Sequence, residues 1–368
     1  MYLAAVIVVI SVLFGSLYWL TGRILFLFAG MQVKKRRIRC LRFLVSILIA
    51  PLCFRWGILG FIVAHLVVLF ALADLVAFIV RRIGKGQEER TYYKFLRAVY
   101  HFGIIPILVL SVLLCYGNYN MKHISRTEYI VSSDKLRDNY EIVFISDVHY
   151  ATIQDPDLIK EKIAEIEKMK PDMVLLGGDI VEEGTSKKAM QEVFRIFGGI
   201  ESTYGTYYVY GNHDRQLYAE ERAYTGAELE DAMRAGGVTA LQDSYVQLGP
   251  DLVIAGREDV SLGKEGRKKT DTILQDIPSD AYVVLLDHQP VQSEENARQG
   301  VDLQLSGHTH AGQLIPIGYI NALTGALNYG EYERGGCKVI VSSGMAGWGF
   351  PFRTQEKCEY VVIYLKRN

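Results

Sequence analysis

Three long apolar runs near the N-terminus limit what this chain can fold into. They cover residues 2–21, 43–80 and 102–117. About 20 apolar residues cross the hydrocarbon core of a bilayer, so each run is long enough, or nearly so, for a membrane helix. Because 368 residues also exceed what one hydrophobic core usually holds, we expect a helical membrane region followed by a separate folded domain.

The middle run is about twice as long as one span. Near its centre lie Pro51, Arg55 and Trp56, a mixture that suits a turn at the lipid headgroups. We interpret the run as a helical hairpin. A single long tilted helix is the alternative, but tilt does not absorb so much extra length. The predicted membrane region is then residues 1–120, with four helices at about 2–21, 43–56, 57–80 and 102–118.

Charge divides the chain at the same place. Residues 1–124 carry 15 Lys and Arg against 3 Asp and Glu, whereas residues 125–368 carry 25 against 38. The basic residues of the first part lie mainly in two connections, which should therefore face the cytoplasm. With four spans, the protein is a multi-pass cell-membrane protein whose residues 118–368 lie outside the cytoplasm. The acidic excess of this second part argues against binding to nucleic acid.

Beyond residue 125, short apolar strands alternate with amphipathic helices. This order indicates a layered α/β domain over residues 125–368. The tail is richer in strands. The clearest predicted strands are 141–146, 173–176, 206–210, 282–286, 302–306, 338–342 and 360–365, and the clearest helices are 157–169, 186–198 and 225–235.

Polar side chains follow five of these strands. The segments are Ser146-Asp147-Val148-His149, Gly177-Gly178-Asp179, Gly211-Asn212-His213-Asp214, Asp287-His288 and Gly307-His308-Thr309-His310. In open α/β sheets, ligands bind beyond the carboxyl ends of the strands, so the five segments should converge. Carboxylates, imidazoles and an amide oxygen without a thiolate suit Mn, Fe or Zn. All five histidines beyond residue 123 fall in these segments, which scattered structural histidines would not do.

The motifs Asp-x-His, Gly-Asp, Gly-Asn-His-Asp, His and Gly-His-Thr-His, in this order after strands, resemble the calcineurin-like metallophosphoesterase family. The resemblance covers about residues 140–368, and residues 307–313 with a preceding membrane portion are similar to the membrane-associated bacterial branch. It implies a four-layer α/β/β/α sandwich that holds two divalent metal ions. Mn²⁺ is the favoured ion, and Fe and Zn are the alternatives.

The resemblance also implies residue roles. One metal would be held by Asp147, His149, Asp179 and His310, and the other by Asp179, Asn212, His288 and His308. A hydroxide bridging the two metals would attack the phosphorus. His213 would face the scissile phosphate, and Asp214 would fix the tautomer of His213.

The chain departs from the family pattern at two places. Tyr150 stands where Gly is usual after the first His, and Glu182 or Glu183 stands near the position of a second Asp. We expect Tyr150 to help shape the substrate opening. Arg257 and Arg353 are candidates for binding a substrate phosphate because Arg offers a bidentate fork; surface ion pairs are the alternative for both.

The leading functional interpretation is hydrolysis of a phosphodiester or pyrophosphate bond in a lipid or cell-envelope substrate. A phosphoprotein or nucleotide phosphatase would use the same chemistry. A non-catalytic metal-bound receptor or scaffold is a third interpretation, although no ligand of the family set is missing. The loop with Trp348, Phe350 and Phe352 either meets a lipid tail or covers a core.

Overall fold

A computed structural model describes residues 2–29, 35–55, 57–83, 91–101, 103–263 and 265–368. The chain divides into two compact units, Met1–Tyr116 and Gly117–Asn368. We call the first the helical unit and the second the α/β unit. The predicted headgroup residue Trp56 lies outside the described residues.

The helical unit contains the helices α1 (Tyr2–Ala29), α2 (Arg36–Arg55), α3 (Gly57–Ile83) and α4 (Thr91–His101), and α5 (Ile104–Lys122) continues into the α/β unit. Among the described residues, α3 and α5 are long and apolar enough to cross a membrane. Only 11% and 28% of their most apolar windows are buried. Helices in the core of a soluble protein would be mostly buried, so this exposure favours an apolar surrounding.

These two helices correspond to the predicted spans 57–80 and 102–118. The predicted run 43–80 is divided between α2 and α3. The part of α1 with described side chains, Ile10–Leu25, is apolar but shorter than a span. Arginines occupy four positions in the first two turns of α2. The four-span arrangement therefore stays a prediction.

One ion pair ties together helices of the helical unit. Asp74 on α3 lies 2.5 Å from the guanidinium of Arg23 on α1. It also accepts a hydrogen bond of 2.7 Å from the Tyr100 hydroxyl on α4. A carboxylate on an apolar helix is costly unless it is paired, so these contacts help fix the relative positions of the three helices.

The α/β unit contains two six-stranded sheets in its described residues. The first has the order β1-β12-β2-β3-β4-β5, with strands β1 (Ile124–Ser133), β12 (Cys358–Arg367), β2 (Tyr140–Ile145), β3 (Met173–Leu176), β4 (Thr206–Tyr208) and β5 (Val238–Ala240). The second has the order β10-β11-β9-β8-β7-β6, with strands β10 (Gly330–Arg334), β11 (Cys337–Val341), β9 (Leu303–Ser306), β8 (Tyr282–Leu286), β7 (Leu252–Gly256) and β6 (Ser244–Leu248).

The two sheets pack face to face through a shared apolar core. Phe144 and Ile363 of the first sheet and Ile254 and Leu286 of the second belong to it, and all four are fully buried. Alternate strand residues point to the other face of each sheet. The first sheet is covered by three helices: α6 (Pro156–Met169), α7 (Lys187–Gly198) and α8 (Gly226–Gly236). The second sheet is covered in part by two short helices, α9 (Thr270–Leu274) and α10 (Ser293–Arg298). The layers are therefore α/β/β/α, as the resemblance implies.

Local sequence explains how the larger helices begin. Asp155 caps α6 by accepting from the amide of Asp157, and Pro156 occupies the first turn, where its missing N–H costs nothing. Thr225 and Glu228 form a capping box at the start of α8. Strands β2, β3 and β4 run parallel, as do β8 and β9. Their carboxyl ends therefore carry the polar segments that follow them.

A buried ion pair supports the end of β8. The Arg267 guanidinium donates to both oxygens of Asp287 at 2.9 and 2.5 Å. The two side chains are 4% and 0% exposed. Arg257 Nη1 lies farther away, 3.6 Å from Asp287 Oδ2. A buried pair contributes little net stability as a whole, but removal of one partner leaves the other charge buried with less compensation.

We predict that Arg267→Ala lowers the free energy of unfolding of the α/β unit by about 3 kcal/mol, because the buried Asp287 loses both guanidinium hydrogen bonds and keeps only the more distant Arg257. Urea denaturation of the full chain in detergent measures the change. The control is Arg234→Ala, whose exposed i,i+3 pair with Asp231 should contribute less than about 1 kcal/mol. Equal effects of the two substitutions would contradict the prediction.

Candidate metal centre

The structure gathers the side chains that follow the strands at the carboxyl ends of the two sheets. Two groups of three have potential ligand atoms within 4.8 Å of one another. The first is Asp147, His149 and His310, and the second is Asp179, His288 and His308. Asn212 lines the same cavity as Asp179 and His308. All seven metal ligands proposed from the sequence are thus at this place.

The backbone is unusual at the ligands themselves. Five of the seven have positive φ angles between 44° and 68°. They are Asp147, His149, Asp179, His308 and His310. Residues with a Cβ rarely adopt this left-handed conformation. Such strain persists only where the surrounding structure enforces it, and it concentrates at functional sites.

Gly178 allows three of these segments to approach closely. Its φ is +91°, and a Cβ there would lie 2.6 Å from the Gly211 amide nitrogen and 2.7 Å from Nδ1 of His288. Both distances are shorter than real Cβ contacts. The glycine is therefore required for the packing of the Asp179, Asn212 and His288 segments against one another.

Two imidazoles have a defined tautomer. Nδ1 of His288 lies 2.8 Å from the Gly177 carbonyl oxygen, and Nδ1 of His310 lies 3.0 Å from that of Ala346. A carbonyl oxygen only accepts, so both Nδ1 atoms carry the proton. Each Nε2 then turns a lone pair toward a carboxylate: 3.1 Å from Asp179 Oδ2 for His288 and 3.5 Å from Asp147 Oδ1 for His310. These facing atoms need a cation that they share, which is either a proton or a metal ion. Burial lowers the pKa of His288, but the Asp179 carboxylate outweighs it and the net shift is upward, so a proton fills this place when no metal is bound.

Further orphaned atoms point to the same requirement. Nε2 of His149, Nε2 of His288 and Oδ1 of Asn212 are buried and have no hydrogen-bond partner. The amide oxygen of Asn212 cannot be satisfied by taking up a proton, whereas a metal cation would satisfy it. Nδ1 of His149 lies 3.0 Å from Glu182 Oε2, the kind of carboxylate partner that orients metal-binding imidazoles. The donors present therefore fit divalent metal ions.

Electrostatics in the cluster keep the carboxylates charged. Burial raises the pKa of Asp147 and Asp179, but the imidazoles, His310 and His288 foremost, outweigh it and hold both pKa values below the ordinary range. Burial lowers the pKa of His310 to about 3 and also lowers the pKa of His308. These two histidines are therefore neutral near pH 7, as metal ligation requires. Burial also lowers the pKa of His149 and His288, but neighbouring carboxylates outweigh it and both net shifts are upward, so a metal ion must displace their protons when it binds.

His213 stands at the cavity wall with its own carboxylate partner. Its Nδ1 lies 2.7 Å from Glu183 Oε2, and its amide donates to Asp179 Oδ1 at 2.9 Å. Burial lowers the pKa of His213, but the Glu183 carboxylate outweighs it and the net shift is upward. The imidazole is thus held in one orientation beside the two ligand groups.

The expectation that Asp214 orients His213 is wrong. The buried Asp214 carboxylate accepts hydrogen bonds from four backbone amides at 2.6–3.1 Å: those of Asp179, Ile180, Val181 and Gly211. Its oxygens therefore face the backbone, while Glu183 faces the imidazole. Asp214 clamps the ends of β3 and β4 together, which fixes the position of Asp179.

The three residues expected to contact substrate are buried elsewhere. Tyr150 is 0% exposed and belongs to the core beneath α6 and α7. Arg257 is 4% exposed and donates to Gln292, Asn296 and the Lys268 carbonyl. Arg353 is 0% exposed and donates to the carbonyls of Lys357, Ser343 and Ala346. All three are structural, because a buried guanidinium or phenol cannot reach a substrate in the cavity.

The cavity above the cluster has a volume of about 730 Å³. Its polar side includes Asp179, Glu183, Asn212, His213, His308 and His310. Its apolar side includes Leu314, Ile317, Trp348 and Phe350. The cavity therefore combines a charged floor with an apolar wall.

The sequence analysis missed the roles of Glu182 and Glu183 and the apolar wall. Two consecutive carboxylates three and four residues after Asp179 were a usable signal for imidazole partners. Residues 311–330 contain no charged side chain, which was a signal for an apolar surface. The backbone carbonyls of Ala346 and Gly177, which face His310 and His288, could not be predicted in this way, because every residue has a backbone carbonyl.

Comparison with known proteins agrees with this geometry. The sequence profile described as calcineurin-like phosphoesterase matches residues 140–312. An uncharacterized metallophosphoesterase of Campylobacter jejuni is 30% identical over 76% of this chain and 73% of its own length. The chain belongs to the calcineurin-like phosphoesterase family. It is therefore a metal-dependent phosphoesterase of a family that binds two divalent metal ions.

Two further relatives resemble this phosphoesterase over most of its length. An uncharacterized metallophosphoesterase of Bacillus subtilis is 30% identical over 68% of this chain and 89% of its own length. A protein of Danio rerio described as a transmembrane protein with metallophosphoesterase domain is 24% identical over 72% of this chain and 62% of its own length.

We predict that Gly178→Ala removes at least one of the two metal ions, because the added Cβ would displace His288 and the Gly211 amide. Metal content per chain, measured by mass spectrometry after dialysis, reports the loss. The matched control is Gly205→Ala, since Gly205 has a similar φ of +85° but nothing within 4 Å of a Cβ. Loss of metal in both variants would show that backbone strain, rather than the close approach, is responsible.

Proposed function

We propose that the chain is a membrane-anchored, dinuclear-metal phosphoesterase that hydrolyses a phosphodiester or pyrophosphate bond in a lipid or cell-envelope substrate. The observation that carries this proposal is the set of buried atoms without a hydrogen-bond partner, Nε2 of His149, Nε2 of His288 and Oδ1 of Asn212, beside the buried carboxylates of Asp147 and Asp179. The charged floor faces a cavity large enough for a substrate.

The proposed ligand assignment follows the two groups in the structure. Asp147, His149 and His310 would hold one ion, and Asn212, His288 and His308 the other, with Asp179 shared. Mn²⁺ is the proposed ion, and Fe and Zn suit the same donors. When bound, such ions neutralise charge on a phosphate and lower the pKa of water toward neutrality.

His213 is proposed to act on the leaving group. It lines the cavity beside Asp179 and Asn212 without belonging to either group of ligand atoms. Glu183 accepts from its Nδ1–H and so leaves Nε2 to donate a proton or a hydrogen bond to the departing oxygen. The same carboxylate stabilises the charged imidazolium.

Membrane association is supported by α3 and α5, which are long and apolar enough to span, and by the description of the Danio rerio relative. The charges of the connections favour four spans with the α/β unit outside the cytoplasm. An anchored enzyme meets membrane lipids at high local concentration. The apolar cavity wall suits a substrate of this kind.

Phosphoprotein or nucleotide phosphatase activity is the second candidate, because the metal chemistry is the same. Its substrates are polar on both sides of the phosphate and gain little from an apolar wall. Faster turnover of phosphopeptides or cyclic nucleotides than of lipid-linked diphosphates would favour this candidate. A non-catalytic scaffold would bind metal without any turnover.

We predict that the full chain in detergent, stripped of metal and reloaded with Mn²⁺, hydrolyses bis-p-nitrophenyl phosphate. Metal removal and Asp179→Asn should each lower turnover by more than about 100-fold, because the shared carboxylate is proposed to hold both ions. The assay reports p-nitrophenol release. Metal-loaded chain that hydrolyses neither this diester nor p-nitrophenyl phosphate nor a lipid diphosphate would contradict the proposal.

We predict that His213→Gln slows hydrolysis most when the leaving group is poor. Turnover of a glycerophosphodiester should fall by about 10²–10⁴, because an alkoxide must be protonated as it leaves. Turnover of bis-p-nitrophenyl phosphate should fall less, since p-nitrophenolate leaves without a proton. Glu183→Gln should give a smaller loss with the same leaving-group dependence, and the exposed Glu333→Gln is the control. Equal losses on both substrates would assign His213 a purely structural role.

A further inference from the structure

Exposed apolar side chains of the α/β unit concentrate at the mouth of the cavity. Seven of its eleven exposed large apolar residues in the described part of the chain lie in three segments that border the mouth. These are residues 217–218, helix α11 (Ile317–Leu323) and Trp348. Solvent exposure of single apolar residues is ordinary, but a contiguous patch marks an interaction surface.

Helix α11 supplies the largest part of the patch. Ile317, Tyr319, Ile320 and Leu323 are 45%, 59%, 54% and 88% exposed. Gly318 is buried and donates its amide to Gln355 Oε1 at 2.9 Å. The helix is therefore fixed to the domain by one face and presents its apolar side chains outward.

The Gln313 side chain joins the segment that precedes α11 to the loop that carries Trp348. Its amide nitrogen donates to the carbonyls of Trp348 and Phe352 at 3.1 and 3.0 Å, and its oxygen accepts from the Trp348 amide at 2.8 Å. The Trp348 ring is 53% exposed and lies 5.9 Å from the His213 ring. The patch is thus an ordered surface that extends as far as His213.

The same loop is bound by the last turns of α5. Residues 117–122 belong to the α/β unit, and the Gly117 carbonyl accepts from the Arg353 amide at 3.1 Å. Asn120 donates to the Glu356 carbonyl at 3.1 Å, and the Phe352 ring covers Gly117. The residues of α5 that belong to the α/β unit therefore contact the loop that presents Trp348.

Composition identifies what covers this surface. Residues 311–330 and 342–352 contain no charged side chain. Exposed Trp and Tyr beside aliphatic residues are typical of surfaces at the headgroup level of a bilayer. A protein-binding surface usually has a polar rim. These two segments contribute no charge to such a rim, and the exposed charges that follow residues 217–218 are Glu220, Glu221 and Arg222.

We propose that α11 and Trp348 enter the headgroup region of the bilayer and guide the acyl portion of a lipid phosphoester along Leu314 and Ile317 to the metal centre. This inference rests on the proposed function and names its substrate class as amphiphilic. The occupant of the patch is the lipid bilayer. The phosphate reaches the charged floor while the apolar chain stays on the apolar wall.

One test compares two substrates with the same scissile bond, methyl p-nitrophenyl phosphate and hexadecyl p-nitrophenyl phosphate, with the full chain in lipid nanodiscs. The kcat/KM ratio of the long-chain to the short-chain substrate should fall at least about tenfold in Ile320→Glu/Leu323→Glu. The control Ile130→Glu/Val260→Glu changes exposed residues outside the patch and should keep the ratio. An unchanged ratio, or equal losses on both substrates, would overturn the inference.

A second test does not depend on turnover. The chain has three tryptophans, Trp19, Trp56 and Trp348, so Trp19→Phe/Trp56→Phe leaves Trp348 as the fluorophore. Brominated phospholipids should quench it, and Ile320→Glu/Leu323→Glu should weaken the quenching. Quenching by aqueous acrylamide alone, or protection from both quenchers by a second protein copy, would overturn the inference. Absence of hydrolysis of either substrate by the unaltered chain, with quenching intact, would instead count against the proposed function.

Discussion

Two buried aspartates impose the constraint on which the rest of the α/β unit depends. Asp147 and Asp179 are almost completely buried, and burial of an unpaired carboxylate costs several kcal/mol. Backbone amides of His308 and His213 supply part of the compensation. The remaining oxygen atoms face Nε2 of His288 and Nε2 of His310 at 3.1 and 3.5 Å, so each contact needs a shared cation, a proton or a metal ion. This geometry fits divalent metal ions.

The support for these ligands comes mainly from the backbone. Carbonyls of Gly177 and Ala346 set the tautomers of His288 and His310, and Asp214 gathers amides from two strand ends. Arg353 donates to the same Ala346 carbonyl at 2.7 Å, so a buried guanidinium helps to hold the partner of a ligand. Such outer contacts orient metal ligands, which explains why a residue expected to bind substrate is instead enclosed by the protein.

One loop, the one that follows β11, contacts the metal centre, the cavity mouth and helix α5. The loop that follows β11 supplies the Ala346 carbonyl to His310, presents Trp348 at the cavity mouth and binds the last turns of α5. A metal centre that faces an apolar wall can discriminate substrates by what is attached to the phosphate. The phosphate itself is recognised by charge, which every phosphate ester shares.

The sequence by itself determined the order of strands and helices, the place where the chain changes from apolar to acidic, and the residue types of the metal centre. Strand periodicity and residue type are local properties, so the strand ends at Asp147, Asp179 and His288 were predictable from the chain alone. Tertiary packing decided what distant side chains do to one another. Because of this packing, the carboxylate beside the His213 imidazole is Glu183 rather than the neighbouring Asp214. Packing also buries the side chains of Tyr150, Arg257 and Arg353. It also left α11 exposed. Burial and partner choice depend on segments far apart in the chain, and no local pattern encodes the distance between them.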